Sequence, residues 1–95
     1  MIEHVMLFKL ADPAAREALA ARMAGALPGA RVGLPADRDA EVWDLLVVVT
    51  APDAAALRDA LAAPAWTALQ AEVAGAVQVR KGWTFALRSG AAAAT

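Results

Sequence analysis

The sequence contains no cysteine and no asparagine, and histidine occurs once, at position 4. Without cysteine, disulfide bonds, thiolate zinc sites and cysteine nucleophiles are excluded. A single histidine cannot build a usual transition-metal site, and the carboxylates of Asp37, Asp39 and Glu41 lack the spacing of a calcium loop. We therefore expect no metal and no cofactor, and a fold that depends on packing alone.

The charge and hydropathy patterns exclude further classes of partner. Nine basic and ten acidic residues are scattered along the chain, with a net charge of −1, so there is no basic stripe for nucleic acid. The longest run of large apolar residues, Leu45–Val49, is far shorter than the roughly 20 residues that span a bilayer. No positive segment precedes an apolar stretch of signal-peptide length. We expect a cytoplasmic protein with no nucleic-acid and no membrane partner.

Two segments predict β-strands that are apolar on both faces. In residues 1–10, side-chain alternation places Ile2, His4 and Leu10 on one face, while Val5 and Leu7 lie on the other. Residues 42–50 repeat this pattern. In a chain of 95 residues, helices can cover one face of such a sheet, and a second copy of the chain is the expected cover of the other. The pattern therefore predicts a homodimer.

The remaining signals give the order of the elements. Asp12-Pro13 and Pro52-Asp53 are helix starts, Pro64 interrupts the second helix, and Gly75 ends the piece that follows. Strands are predicted at residues 31–34, 42–50 and 77–87. Strict alternation in the last of these predicts an apolar face with Val77, Val79, Trp83, Phe85 and Leu87.

This order predicts an α+β, ferredoxin-like β-α-β-β-α-β fold with a four-stranded antiparallel sheet and helices on one face. The expected domain covers residues 1–88, followed by a flexible tail at residues 89–95. Two sheets facing each other would close a barrel across the dimer.

Three segments carry a family resemblance. The start Met1–Leu10, the Trp43-Asp44 pair at the opening of the third strand, and Leu57–Trp66 with its Pro64-Ala65 pair resemble the stress-responsive A/B barrel domain (Dabb) proteins. The resemblance implies a dimeric α/β barrel with His4 beside a cavity between sheet and helices.

The family that this sequence resembles includes a type of plant polyketide cyclase. That type uses a tyrosine in the second helix and a histidine directly after the Pro-Ala pair. Here Ala60 and Trp66 occupy those positions. Neither side chain can move a proton, so the acid/base pair of the cyclase is absent. A cyclase-like or isomerase-like enzyme would need an altered site.

His4 is the candidate catalytic residue, because imidazole exchanges protons near neutral pH. The alternative is a partly buried ring satisfied by a neighbouring hydrogen bond. Asp44 is its candidate partner and a candidate ligand-binding residue, since it lies among apolar residues; the alternative is a hydrogen bond at a strand end or interface.

Phe8, Trp43 and Trp66 are the remaining candidate ligand-binding residues, because aromatic rings offer large, rigid contact area. The alternative is the core or the dimer interface, and Trp66 would then partly fill the cavity.

These residues suggest a small dimeric protein that binds a small hydrophobic metabolite with His4 as its polar contact. The alternative is a structural, stress-associated dimer without a catalytic site, and the sequence does not decide whether the protein is an enzyme. A cofactor-free oxygenase of the related barrel type would need a second histidine or an asparagine, and both are missing.

Overall fold

The computed structural model describes residues 1–37 and 43–88, which form a four-stranded antiparallel sheet with the strand order β2-β3-β1-β4. The elements are β1 (Ile2–Leu10), a 3₁₀ turn (Pro13–Ala15), α1 (Arg16–Ala26), β2 (Arg31–Gly33), β3 (Leu45–Ala51), α2 (Ala54–Leu61), α3 (Pro64–Glu72) and β4 (Val77–Ala86). This order confirms the predicted ferredoxin-like fold. The predicted flexible tail at 89–95 and Val42, the first residue of the predicted third strand, lie outside the described residues.

Aspartate caps begin the first two helical segments, as the sequence predicts. The Asp12 carboxylate accepts a hydrogen bond from the Ala14 N–H at 3.0 Å, and a 3₁₀ turn precedes α1. The Asp53 carboxylate accepts one from the Ala56 N–H at 2.8 Å at the start of α2. Because each carboxylate satisfies an N–H that lacks a partner within its own helix, the caps fix where these elements begin.

The core lies between one face of the sheet and the helices. Met6, Phe8 and Leu10 of β1 are buried, and so are alternate residues of β3 from Leu45 to Ala51. The helical layer covers them with Leu19, Met23, Leu57, Trp66 and Leu69. The period-two prediction for β1 is therefore confirmed, since its even-numbered residues form the inner face.

A register shift in β4 corrects the alternation predicted for that strand. Lys9 pairs with Val79 but Leu10 pairs with Val77, so Gln78 is an extra residue opposite the partner strand. Such a bulge reverses the faces on its two sides. Val77 consequently packs against the core, while Val79 lies on the opposite face, and the prediction that they share a face is wrong.

The sheet face away from the helices is largely apolar, and its β4 residues are exposed. Val79, Trp83 and Phe85 on β4 are 37%, 45% and 52% exposed. Their partners across the ladder are Lys9, Val5 and Glu3 of β1. We call this surface the free sheet face; its apolar members are Val5, Leu7, Leu46, Val48, Val79, Trp83 and Phe85.

Candidate functional site

A pocket of about 530 Å³ opens between the β4 side of the sheet and the helices α2 and α3. We call it the main pocket. Residues from four elements line it: His4, Met6, Leu61, Trp66, Thr67, Gln70, Arg80, Lys81 and Gly82. A smaller cavity of about 390 Å³ adjoins it, because His4 and Leu61 line both cavities. We call the two cavities together the groove.

His4 lies at the junction of these two cavities. In the sheet it is flanked by Val49 on β3 and Thr84 on β4, and its Nδ1 is 2.8 Å from the Thr84 hydroxyl oxygen. A Cβ placed on Gly82 would lie 3.1 Å from the His4 Nε2 atom, so the absence of a side chain at residue 82 makes room for the ring. Burial lowers the pKa of His4, which favours the neutral imidazole at neutral pH.

Trp66 forms a wall of the main pocket and does not fill it. Its side chain is buried, at 4% exposure, as part of the core cluster. Gln70 follows four residues later in α3 and lines the same pocket, since residues four apart lie on the same side of a helix. Of the five residues that the sequence singles out as candidates, the structure places two, His4 and Trp66, in the lining of the main pocket.

Gln70 and Arg80 add a polar pair that the sequence analysis did not identify. The Arg80 Nη1 donates a 3.0 Å hydrogen bond to the Gln70 Oε1. The Gln70 Nε2 is buried and has no hydrogen-bond partner within the described part of the chain. The four-residue spacing between Trp66 and Gln70 could have predicted that both side chains lie on the same side of a helix. The contact between Gln70 and Arg80 could not be predicted in this way, because it depends on how α3 packs beside β4.

Asp44 directly precedes β3 and does not line the main pocket. The prediction that Asp44 is the partner of His4 is therefore corrected, because the hydrogen bonds of Asp44 go to other residues. Asp44 is buried, and its Oδ2 accepts the Leu10 N–H at 2.7 Å. Its Oδ1 accepts from Arg16, with a 2.6 Å contact to Nη2. Burial by itself would raise the pKa of Asp44, but the hydrogen bonds from Leu10 and Arg16 and the nearby positive charges lower it overall.

Phe8 and Trp43 also lie apart from the main pocket. Phe8 is fully buried in the core at 0% exposure, where it has no surface to offer a ligand. Trp43 lines a separate cavity of about 270 Å³ with Leu7, Leu34 and Leu46, next to the free sheet face. Of the predicted ligand-binding residues, Trp66 alone lines the main pocket.

Two further observations concern metals and membranes. Within residues 1–37 and 43–88, no group of three or more histidine, cysteine or acidic side chains is arranged to hold a metal ion. None of the helices in these ranges has the length and apolar character needed to cross a membrane.

No protein-family model and no curated protein matches the sequence, but solved structures share its fold. A dimeric protein of unknown function with a ferredoxin-like fold from Bacteroides fragilis is 16% identical, with a TM-score of 0.75 over 90% of this chain and 95% of that chain. A Dabb family protein from Mesorhizobium loti is 13% identical, with a TM-score of 0.68 over 93% of this chain and 97% of that chain.

A third similar structure is the cofactor-independent oxygenase SnoaB from Streptomyces nogalater. It is 26% identical, with a TM-score of 0.69 over 95% of both chains. The resemblance predicted from the sequence is thereby confirmed at the level of the fold. This chain has the ferredoxin-like fold that a Dabb family protein and a cofactor-independent oxygenase share.

Proposed function

We propose that this protein is a homodimer that binds a small, largely apolar molecule in the main pocket, with His4 as a polar contact. The observation that carries the proposal is the pocket itself, which combines the apolar side chains of Met6, Leu61 and Trp66 with the His4 ring. Ligand sites are typically concave, mostly apolar surfaces with a few polar groups that fix orientation. A pocket of about 530 Å³ is within the usual size for a small-molecule site.

The free sheet face supports the dimer. Trp83 and Phe85 are large apolar residues that are about half exposed on it. Contiguous apolar patches of this kind mark interfaces, and a second sheet stacked on this one would bury them. The similar protein from Bacteroides fragilis is dimeric, which supports the same assembly here.

The binding proposal is tested with a library of small aromatic and aliphatic compounds, followed by ¹H–¹⁵N spectra of the three tryptophan indole groups. We expect compounds that bind to shift the signal of Trp66, which lines the main pocket. The signals of Trp43 and Trp83, which do not line it, serve as internal references. A library in which no compound shifts the Trp66 indole at millimolar concentration would contradict the proposal.

A matched pair of helix variants locates the binding. Thr67 lines the main pocket, whereas the next residue, Ala68, is exposed and does not line it. Thr67→Phe should obstruct the pocket and lower affinity at least about tenfold, while Ala68→Phe should bind as the wild type does. Equal affinities of the two variants would place the binding elsewhere.

His4→Gln separates the binding protein from a purely structural dimer. If His4 contacts the ligand, the variant should bind more weakly and unfold at nearly the same temperature, because the ring is only partly buried. A variant that unfolds at a clearly lower temperature and binds the ligand as tightly as the wild type would favour a structural role for His4.

A second candidate function is catalysis with His4 as a general base. The similarity to the cofactor-independent oxygenase SnoaB favours it, but this chain lacks the asparagine and the second histidine that such an oxygenase would need, so any reaction would use an altered site. A histidine with a lowered pKa is neutral at neutral pH and can accept a proton from a bound molecule. The test measures whether the protein consumes dissolved oxygen in the presence of each compound that binds. Uptake by the wild type that disappears in His4→Gln would favour this candidate, and no uptake with any compound that binds would count against it.

A further inference from the structure

We infer that the molecule bound in the main pocket carries an anionic group, a carboxylate in the simplest case, which Gln70 and Arg80 hold. This inference rests on the proposed binding function and adds the chemical class of the ligand. Three features of the groove carry it: its charge, an amide donor that has no partner in the described part of the chain, and the apolar surface beside that donor.

The charge of the groove has one sign. Arg80 lines the main pocket, and Arg58 lines the adjoining cavity that shares His4 with it. Lys81 is also among the residues that line the main pocket, but it pairs with Leu7, so its side chain lies on the free sheet face. No aspartate or glutamate is among the described residues that line either cavity. The chain as a whole has a net charge of −1, so the composition does not account for a positive groove. Such a groove attracts anions and disfavours cations.

The Gln70 amide supplies a donor that an anion can use. Because its Oε1 accepts from the Arg80 guanidinium at 3.0 Å, the orientation of the amide is set, and the Nε2 atom is the one that has no partner among residues 1–37 and 43–88. A buried donor without a partner is costly, and native proteins rarely leave one without a reason. A carboxylate can accept from this N–H and from the guanidinium together, which is the stronger, charge-assisted type of hydrogen bond.

The geometry also requires a small rearrangement on binding. The Gln70 Nε2 is covered by neighbouring atoms in this structure, so an incoming oxygen reaches it when the ends of the Gln70 and Arg80 side chains turn toward the pocket. Arg80 is exposed on the edge strand β4 and has room for that movement.

The body of the ligand is apolar and of moderate size. Met6, Leu61 and Trp66 line the same pocket as Gln70, so a molecule whose anionic group lies at Gln70 places its remaining atoms against these side chains. A bicyclic aromatic acid such as 2-naphthoate fits a cavity of about 530 Å³. Its neutral analogue 2-naphthamide has the same shape without the charge, which makes the two compounds a matched pair of probes.

The test is a titration of the full chain with each compound at pH 7.5, followed by ¹H–¹⁵N spectra. The sequence has two glutamines, Gln70 and Gln78, and no asparagine, so the side-chain amide region contains two pairs of signals. We expect both compounds to shift the Trp66 indole and naphthoate to bind at least about tenfold more tightly, since hydrogen bonds to charged groups are the stronger ones. Naphthoate should also shift the Gln70 amide pair and leave that of Gln78 in place.

Two glutamate variants with the same charge change provide the control. Gln70→Glu replaces the amide donor by a carboxylate that pairs with Arg80, and should lower naphthoate affinity at least about tenfold while naphthamide affinity changes by less than about twofold. Gln78→Glu adds the same charge at an exposed residue that does not line the pocket, and should bind both compounds like the wild type.

The outcomes separate this inference from the proposed function. Equal affinities for the two compounds, or equal losses in the two glutamate variants, would overturn the anionic-group inference, while shifts of the Trp66 indole would still support binding in the pocket. If neither compound shifts Trp66 at millimolar concentration, both the ligand class and the pocket proposal are contradicted.

Discussion

Asp44 and Gln70 illustrate how burial gives two polar side chains different roles. Asp44 is surrounded by donors from Leu10 and Arg16, so its charge is satisfied and it fixes the junction between β1, β3 and the start of α1. The carbonyl oxygen of Gln70 has a partner, whereas its amide nitrogen has none among the residues that the structure describes. The first arrangement stabilises the fold, and the second is the donor that we propose a ligand uses.

The Asp44 ion pair predicts a stability that depends on pH. Its folded-state pKa is lowered, so the stabilisation is complete above the ordinary aspartate pKa of about 4 and is lost as the pH falls through the folded-state value. Asp44→Asn should lower the free energy of unfolding by about 2 kcal/mol at pH 7, because it removes the charge that accepts the hydrogen bonds from the part-buried Arg16. Urea unfolding at pH 7 and at pH 3 measures both quantities.

The control for this prediction is Asp59→Asn, the same change at an exposed aspartate of α2. We expect it to change the free energy of unfolding by less than about 0.5 kcal/mol. A difference between wild type and Asp44→Asn that is as large at pH 3 as at pH 7 would contradict the linkage.

Gly82 gives a prediction about the site. A Cβ at residue 82 would lie 3.1 Å from Nε2 and 3.2 Å from Cε1 of His4, closer than ordinary van der Waals contact. In Gly82→Ala we expect the His4 ring to move, which shifts its ring proton signals and weakens ligand binding several-fold. Unchanged His4 signals would show that the ring has more freedom than the contact indicates.

Residue types and the family resemblance predicted part of the candidate site and missed the rest. His4 and Trp66 were identified because a single histidine on an apolar strand face and a large aromatic residue are visible in the sequence. Gln70 and Arg80 were missed because their contact joins α3 to β4 and depends on tertiary packing. Asp44 was assigned to the wrong neighbour for the same reason, since its partner Arg16 is 28 residues away in the chain.

The secondary structure elements follow local signals closely, with one exception that local signals cannot reveal. Asp12 and Asp53 cap the elements they were predicted to begin, and Pro64 starts α3 where the second helix was expected to be interrupted. In β4, the bulge at Gln78 adds one residue and reverses the alternation. Because a bulge is defined by pairing with β1, the sequence of β4 alone does not place it.

Two glycines near the end of α1 give opposite predictions for the free energy of unfolding. Gly25 lies inside the helix, and a Cβ there would meet no atom within 4 Å, so Gly25→Ala should raise the free energy of unfolding by about 1 kcal/mol. Gly29 has a φ of +82°, which L residues rarely adopt. Gly29→Ala should therefore lower that free energy by about 1 kcal/mol, although it also meets no atom. Thermal and urea unfolding measure both, and a loss of stability in Gly25→Ala would contradict the helix assignment.

At the scale of the whole molecule, the two faces of the sheet have different environments. Helices cover the inner face, while the free sheet face exposes Trp83 and Phe85. The sequence predicted this from two strands that are apolar on both sides, and the exposed apolar residues of β4 extend the same surface. Burying it against a second copy removes an apolar patch that a stable monomer would not expose.

A charge placed on this face tests the proposed assembly. Phe85→Glu should convert the dimer into a monomer, because the interface would have to bury an unpaired carboxylate. Ala68→Glu adds the same charge on exposed helix surface and should leave the dimer intact. Sedimentation equilibrium distinguishes the two states, and a dimer of unchanged affinity in Phe85→Glu would place the interface elsewhere.

We propose that two copies of the chain meet through the free sheet face and leave the main pocket of each copy open to a small anionic molecule. Native mass spectrometry of the full chain with 2-naphthoate measures subunit number and bound ligand together. We expect a dimer that carries up to two naphthoate molecules, one for each pocket. A monomer would contradict the proposed assembly, and a dimer that binds no naphthoate would contradict the proposed site.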